Sequence, residues 1–295
     1  MGLVVSLFFL YWAFQQGSDL RSVARALAQA NYLYVVPALV AYFLGVAVRA
    51  VRWRLLLRPL KPLPARRLFP VVVIGYMAND VLPARMGEFV RAYVLGRGEG
   101  VSKSASLATI FVERVLDGLT MLLFIAAVAM FVPLDVGLGG VVRLAAGLLV
   151  ALLLLALIIA ARPKLAAVAD RFLSGLGVLQ SPRAMLSALG LSLLAWLCEA
   201  TMYYVLSFGF ALGLGFDALV LTTAVVNLGT MVPSSPGYVG TFEALAVFTL
   251  RRFAVAGDLA LSYAVALHAA LLVPVTLLGF YYMWRWHVSF QRLAR

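Results

Sequence analysis

Runs of roughly 20 apolar residues recur along the chain, and each is long enough to cross the hydrocarbon core of a bilayer as a helix. Hydrophobic residues make up 64% of the 295 residues and charged residues only 12%. Soluble domains average about 25% charged residues. Because one soluble core cannot bury such an apolar excess, lipid must surround much of the chain. The sequence predicts an all-α integral membrane protein in which residues 1–295 form a single transmembrane domain.

Six of the apolar runs are predicted to be transmembrane helices. They are Met1–Gln16, Asn31–Leu57, Ser104–Pro133, Val141–Ala161, Ala184–Leu212 and Leu259–Trp286. Met1–Gln16 is short, and we interpret it as a retained helix because it lacks the basic start and the small-residue cleavage site of a signal peptide. Leu20–Ala30 and Pro163–Leu179 have amphipathic patterns and are expected to lie along the two membrane interfaces.

Two further apolar segments, Leu68–Tyr93 and Ala218–Leu250, are interrupted near their centres. The first contains Asn79, Asp80, Pro83 and Gly87 at its break, and the second contains Asn227, Gly229, Pro233, Pro236, Gly237 and Gly240. Proline removes a helical hydrogen bond and glycine loosens the backbone, so each break should end a helix. The halves are then about 10–15 residues long, which is half to two-thirds of a bilayer. Both segments are predicted to be re-entrant helical hairpins.

The order helix, broken hairpin, helix occurs twice, over residues 31–133 and again over residues 184–286, with 141–161 as a linking helix. The two units enter the membrane from opposite sides, and in both breaks an Asn precedes a Pro, a Gly and then a Glu. Inverted repeats with interrupted helices are typical of carriers that bind substrate near the bilayer midplane. The alternative is that any two hairpins need Pro and Gly, in which case the similarity implies no symmetry.

Basic residues are distributed unevenly between the two faces that this topology defines. The chain has 24 Lys and Arg against 12 Asp and Glu, and most of the basic residues fall on the face that carries both termini. The basic cluster from Arg49 to Arg67 ends the run Asn31–Leu57, and its members from Arg52 onward are assigned to this face. Cytoplasmic loops are enriched in Lys and Arg, so we predict an inner-membrane protein with both termini cytoplasmic. The same enrichment explains the basic excess without a nucleic-acid partner.

Ionisable side chains inside apolar runs are costly and normally face a cavity or one another. Glu113 and Asp117 are four residues apart and share a helix face, while Arg114 lies about 100° around the helix. We interpret these three residues as candidates for substrate binding. A buried ion-pair network that locks helices together is the structural alternative.

A second cluster surrounds the first break and consists of Asn79, Asp80, Arg85, Glu88 and Arg91. Arg85, Glu88 and Arg91 recur every three residues and are predicted to line one stripe of the returning half-helix. Two guanidinium groups on one stripe suit a phosphate, and half-helix N-termini add N–H donors. The alternative is that Arg85 pairs with Asp117 or Glu113.

A third candidate site lies in the second break and consists of Ser234, Ser235, Gly237, Thr241 and Glu243. Small residues let a headgroup approach the backbone, and Ser and Thr supply hydroxyl groups. Thr241 is alternatively the N-cap of the returning helix, and loop packing is a further explanation of the segment. Glu199 and His268 are isolated polar residues in apolar runs, and either helix-to-helix hydrogen bonding or proton transfer explains them.

Several kinds of chemistry lack their motifs in this sequence. There is no GxxxxGK[ST] phosphate loop, no HExxH motif and no G-x-S-x-G nucleophile elbow. The chain has two His and one Cys, Cys198, which argues against a zinc site. We therefore predict no enzyme activity, no metal and no cofactor.

Three motifs occur in order: N79-DVLPARMG-E88, T109-IFVERVL-D117 and P233-SSPGYVGTF-E243. Together they resemble the flippase-like family, which forms the transmembrane region of lysylphosphatidylglycerol synthases and also occurs as stand-alone proteins. The resemblance extends from about Asn31 to Trp286. It implies that the residues matching the family motifs are important for function: Asn79, Pro83, Arg85, Gly87, Glu88, Glu113, Arg114, Asp117, Pro236, Gly237, Gly240 and Glu243.

The resemblance implies movement of an anionic or aminoacylated lipid between leaflets, either a phospholipid or a polyprenyl-phosphate-linked lipid. The synthases have a further soluble catalytic domain, and since the sequence ends at Arg295 we expect aminoacyl transfer to be missing. The leading hypothesis is a lipid flippase or scramblase whose partners are membrane lipids. The alternatives are a secondary transporter of a small polar solute, an intramembrane enzyme using Glu113 and Asp117, and a membrane partner of a lipid-modifying synthase or glycosyltransferase. No oligomeric state is predicted.

Overall fold

The computed structural model describes residues 19–82, 85–131, 147, 174–231 and 235–286. Over these ranges the chain forms nine α-helices and no β-strand, which confirms the predicted all-α class. They are α1 (Leu20–Gln29), α2 (Val35–Leu57), α3 (Ala65–Val81), α4 (Gly87–Glu99), α5 (Lys103–Ala129), α6 (Pro182–Gly209), α7 (Phe216–Gly229), α8 (Thr241–Leu250) and α9 (Gly257–Arg285). The predicted spans Met1–Gln16 and Val141–Ala161, and most of Pro163–Leu179, lie outside the described residues.

Four of the predicted spans are long helices, α2, α5, α6 and α9, which contain 23 to 29 residues each. At about 1.5 Å per residue they are roughly 35–44 Å long, enough to cross a bilayer. Among the described residues, Tyr32–Leu57, Pro182–Gly209 and Gly257–Arg285 are also apolar enough to do so. Helix α5 is equally long, but it carries three charged residues near its middle.

The first broken segment consists of α3 and α4, and its geometry depends on one close approach. Gly87 begins α4 and lies against the backbone of Gly75 in α3, where an added Cβ would meet the Gly75 carbonyl oxygen and the Asn79 side chain. The Asn79 Oδ1 atom accepts a hydrogen bond from Gly87 N at 2.7 Å and so caps the returning half-helix. Helix α3 has 17 residues and is longer than the predicted half-helix.

The second broken segment consists of α7 and α8, joined through a short 3₁₀ turn at Pro236–Tyr238. Gly237 and Gly240 have φ values of 64° and 88°, in the left-handed region that favours glycine. Five residues predicted at the breaks instead belong to helices: Asn79 and Asp80 lie in the last turn of α3, Gly87 starts α4, and Asn227 and Gly229 lie in the last turn of α7. Within α7 the Asn227 side chain donates back to the Thr223 carbonyl oxygen. Pro83 and Pro233 lie outside the described residues.

The two halves of the chain pack reciprocally. Helix α2 packs along α6, which is the first helix of the second unit, while α3 packs on α9 and α7 packs on α5. Gly279 of α9 lies so close to Met77 of α3 that any added Cβ would clash. Each broken segment thus contacts the last helix of the other unit. A pseudo-two-fold relation would generate this pattern, and the inverted repeat stays a prediction.

Candidate functional site

Four charged side chains from three helices form a buried ion network: Arg52 of α2, Arg91 of α4, and Glu113 and Asp117 of α5. None is more than 6% exposed. The Arg52 Nη1 atom lies 2.5 Å from Asp117 Oδ1, and Nη2 lies 3.3 Å from Glu113 Oε1. The Arg91 Nη2 atom lies 2.8 Å from Glu113 Oε2. Two cations and two anions therefore neutralise one another away from solvent, as buried charges require.

Neutral groups complete the surroundings of this network. Arg52 also donates to the Ser192 hydroxyl of α6, and Trp196 Nε1 donates to Asp117 Oδ1 at 2.8 Å. The Arg91 guanidinium stacks over the Trp53 ring, with Cζ 4.1 Å from the ring centroid, a favourable cation–π geometry. The network is therefore enclosed by aromatic and hydroxyl groups, and it holds α2, α4, α5 and α6 together.

This arrangement corrects two sequence-based interpretations. Arg52 was assigned to the cytoplasmic basic cluster, but it is fully buried because its guanidinium neutralises two carboxylates of α5. Arg85 was expected to share a stripe with Arg91 or to pair with those carboxylates, and it does neither. Arg85 lies before the start of α4, with a φ of 54°, so the predicted stripe with two guanidinium groups does not form.

A polar cavity of about 150 Å³ lies beside the buried ion network, between the two broken segments. All four long helices and both breaks contribute to its wall. The charged and polar residues that line it are Tyr42, Arg49, Tyr76, Asn79, Asp80, Arg85, Arg114, Asp117, Trp196, Glu199, Tyr203, Asn227, Thr230, Tyr238 and His268. Asp117 belongs to both regions, because it binds Arg52 on one side and faces the cavity on the other.

Charge along the cavity wall is balanced, with three arginines and three carboxylates among its described residues. Arg49 Nη2 lies 2.7 Å from Glu199 Oε2, and Asn227 Nδ2 donates to the other oxygen of Glu199 at 3.2 Å. Arg114 Nη1 lies 3.6 Å from Asp117 Oδ2. Helix-to-helix bonding thus accounts for Glu199, one of the two isolated polar residues.

Asp80 and Arg85 are the least neutralised charges of the cavity wall. The Asp80 carboxylate accepts a hydrogen bond from the Thr276 hydroxyl at 2.7 Å, and no described basic side chain lies within ion-pair distance of it. Arg85 donates to the Thr230 carbonyl oxygen at 3.1 Å, and its nearest described carboxylate oxygen, on Glu88, is 3.8 Å away. One negative and one positive group are therefore open to interaction with a ligand.

The second broken segment lines the cavity through Tyr238 and Phe242, and its Glu243 contacts the wall residue His268 of α9. Glu243 Oε2 accepts a hydrogen bond from Gly240 N at 2.7 Å, and Glu243 Oε1 lies 2.7 Å from His268 Nδ1. Glu243 therefore caps α8 and at the same time orients His268, whose ring stacks on Phe242. Thr241 is not the N-cap, because Gly240 occupies that position.

Comparison with known proteins decides the family. The model of the lysylphosphatidylglycerol synthase transmembrane region matches residues 1–279. The chain belongs to this family. Glycosyltransferase AglD of Haloferax volcanii is 30% identical over an alignment 304 positions long, which covers 85% of this chain and 48% of AglD. A UPF0104 membrane protein of Methanothermobacter thermautotrophicus is 25% identical over 284 residues, covering 87% of this chain and 84% of the relative. The chain spans about half the length of AglD.

For this member of the lysylphosphatidylglycerol synthase transmembrane-region family, the structure gathers part of the predicted site. Five predicted residues line the polar cavity: Asn79, Asp80, Arg85, Arg114 and Asp117. Glu88 contacts Arg114 and Arg85 at 3.8–3.9 Å, whereas Glu113 and Arg91 lie behind the wall in the buried ion network. Gly237 packs near the Asp80 backbone, and Ser235 is not a wall residue. Ser234 lies outside the described residues.

Sequence reasoning missed the contribution of α2 to this family member's site. Arg49 and Arg52 are three residues apart and share one helix face, whereas Arg54 and Arg58 lie on another face. That spacing was the available signal, and the density of basic residues at the end of the run concealed it. The aromatic wall residues Tyr42, Tyr76 and Tyr203 carry no motif that separates them from core residues. Among the described residues, no group of three or more His, Cys, Asp or Glu is arranged to hold a metal ion.

Proposed function

We propose that this protein moves an anionic or aminoacylated lipid between the leaflets of the cytoplasmic membrane, as a flippase or scramblase. The observation that carries the proposal is the polar cavity enclosed by both broken segments. Interrupted helices at membrane depth require protein or a polar cavity to satisfy their backbone. A cavity at such a place supports the passage of a polar headgroup while the acyl chains remain in lipid.

The wall of the cavity fits a headgroup that carries both an anion and a hydrogen-bond donor. Arg85 offers a guanidinium to a phosphate, which it can bind with two hydrogen bonds. Asp80 offers a carboxylate to an ammonium or hydroxyl group. A volume of about 150 Å³ is roughly ten times the ~10–15 Å³ that a cavity needs to hold one water molecule, which leaves room for a small phosphate-containing headgroup.

The proposal includes the orientation and the site residues predicted from sequence. Both termini lie in the cytoplasm, the membrane is the inner membrane, and Asn79, Asp80, Arg85, Arg114 and Asp117 contact the headgroup. Four further predicted residues keep these groups in position without contacting the headgroup. Glu88 holds Arg114, Arg91 and Glu113 hold each other in the buried ion network, and Glu243 caps α8 and orients His268. Membrane lipids are the proposed partners.

Reconstitution tests the proposal directly. Purified protein is placed in liposomes with fluorescent phosphatidylglycerol, lysyl-phosphatidylglycerol or phosphatidylethanolamine, and transbilayer movement is followed by chemical quenching of the outer leaflet. We expect movement at least tenfold faster than in protein-free liposomes for one or more headgroups. Arg85→Gln should reduce that rate at least fivefold, whereas Arg97→Gln, at an exposed position of α4, should not. Rates equal to those of empty liposomes for every headgroup would refute the proposal.

A second candidate function is a membrane partner of a separate glycosyltransferase or lipid-modifying synthase. It is favoured by the similarity to a protein named a glycosyltransferase, of which this chain matches 48%. The cavity variants separate the two functions. A partner that only anchors an enzyme keeps its activity when Asp80→Asn and Arg85→Gln are combined, whereas a lipid translocase loses it.

A further inference from the structure

A groove of about 600 Å³ lies at the end of α2 and shares no lining residue with the polar cavity. Its described wall comes from α2, from the turn that follows it and from the first turns of α6. The lining residues are Val51, Arg54, Leu55, Arg58, Pro62, Leu63, Pro64, Ser187 and Leu191. The distribution of Lys and Arg predicts that this end of the molecule is cytoplasmic.

The two arginines of the groove have no neutralising partner. Arg54 and Arg58 are four residues apart, so they lie one turn apart on the same helix face. Both are exposed, and neither forms an ion pair or a side-chain hydrogen bond with a described residue. No carboxylate is found among the lining residues that the structure describes. The groove therefore carries two uncompensated positive charges.

Two other cations near this end, Lys61 and Arg67, are paired with a carboxylate. Lys61 Nζ lies 3.2 Å from Glu99 Oε2, and Arg67 Nη1 lies 3.2 Å from Glu99 Oε1. One carboxylate thus serves both cations, although it lies outside the groove. Arg54 and Arg58 differ from Lys61 and Arg67 because they line an open volume whose described wall contains no carboxylate.

The groove is also amphiphilic along the helix. Arg58 follows the last residue of α2, and Arg54 lies in its last turn. Val51 lies about one turn further from the helix end than Arg54, Leu55 lies between the two arginines, and Leu191 of α6 is also part of the wall. A ligand that fits must present negative charge at the interface and hydrocarbon below it. A soluble anion would leave the apolar part of the groove unfilled.

We propose that this groove binds an anionic glycerophospholipid of the cytoplasmic leaflet, with its phosphate between Arg54 and Arg58 and an acyl chain along Val51 and Leu191. Bidentate hydrogen bonds from guanidinium groups hold phosphate groups well. The Ser187 hydroxyl supplies a further donor to the headgroup. This site is distinct from the polar cavity and does not depend on lipid translocation.

Native mass spectrometry of the purified protein in detergent tests this site. Phosphatidylglycerol and phosphatidylcholine with the same acyl chains are titrated separately, and glycerol 3-phosphate is added as a soluble competitor. We expect at least tenfold tighter binding of phosphatidylglycerol than of phosphatidylcholine, with no displacement by glycerol 3-phosphate. Arg54→Gln combined with Arg58→Gln should weaken phosphatidylglycerol binding about tenfold.

Two further variants make the result specific. The matched control Arg66→Gln with Arg97→Gln removes two exposed positive charges outside the groove and should leave binding unchanged. Ser187→Trp fills the groove without altering charge and should weaken binding. Equal weakening in the control pair, equal affinity for phosphatidylcholine, or displacement by glycerol 3-phosphate would overturn the proposal. Binding is measured here without transport. A negative result would therefore not refute the proposed function, which the liposome assay tests separately.

Discussion

The buried ion network and the polar cavity share helices α2 and α5 but treat charge differently. In the network, Arg52 and Arg91 neutralise Glu113 and Asp117 within an aromatic and hydroxyl enclosure. In the cavity, Asp80 and Arg85 keep bonding capacity beyond their described contacts. The difference indicates that charge at membrane depth has two roles here. One set holds helices together, and the other set is available to a ligand.

The strongest test of this distinction removes a cation from the network. Arg52→Met removes one of the two arginines that neutralise the buried carboxylates of Glu113 and Asp117. We therefore expect the free energy of unfolding to fall by about 3–5 kcal/mol. The measurement is the denaturant midpoint in detergent, with Arg97→Met as the exposed control. A change below about 1 kcal/mol would mean that the network does not stabilise the fold.

The same chemical substitution in each region gives a sharper comparison. Asp117→Asn removes the partner of Arg52 and should cost about 3 kcal/mol of stability. Asp80→Asn keeps an oxygen that can accept from Thr276 and should cost less than about 1 kcal/mol. Lipid movement by Asp80→Asn should nevertheless fall at least fivefold. If both variants lost equal stability, the division between the two regions would not hold.

The smallest expected effect concerns the wall of the network. Trp53 Nε1 donates to Thr109 Oγ1 at 3.0 Å, and Trp53→Phe removes this bond while keeping an aromatic face for Arg91. We expect a loss of about 1–2 kcal/mol from the lost bond and the smaller buried side chain, measured from the same denaturant midpoint, with lipid movement within twofold of the unaltered protein. A loss as large as that of Arg52→Met would instead make the aromatic enclosure the main source of stability.

Local patterns in the sequence predicted the helices and the positions of the breaks. The length of an apolar run is a local property, so the spans that became α2, α5, α6 and α9 could be identified directly. Gly240 and Pro236 marked the second break because their backbone preferences are intrinsic. The first residue of each returning half-helix was harder to predict, since it depends on caps supplied by Asn79 and Glu243.

The site was only partly predictable because its bonds join distant parts of the chain. Arg52 meets Glu113 and Asp117 across 61 and 65 residues, and it meets Ser192 across 140. No spacing rule for a single helix relates such positions. The basic cluster therefore looked uniform, although Arg52 belongs to the buried ion network, Arg49 to the polar cavity, and Arg54 and Arg58 to the groove.

The contact between α3 and α9 has a consequence for how the protein is made. The face of α3 around Met77 is completed only by α9, whose sequence is translated roughly 200 residues later. At about 5–20 residues per second, the ribosome needs some 10–40 s to supply that partner. During this interval a half-helix that carries Asn79 and Asp80 must wait in the insertion machinery or in lipid without its neighbour. Correct assembly is therefore a late event, because it depends on the synthesis of α9.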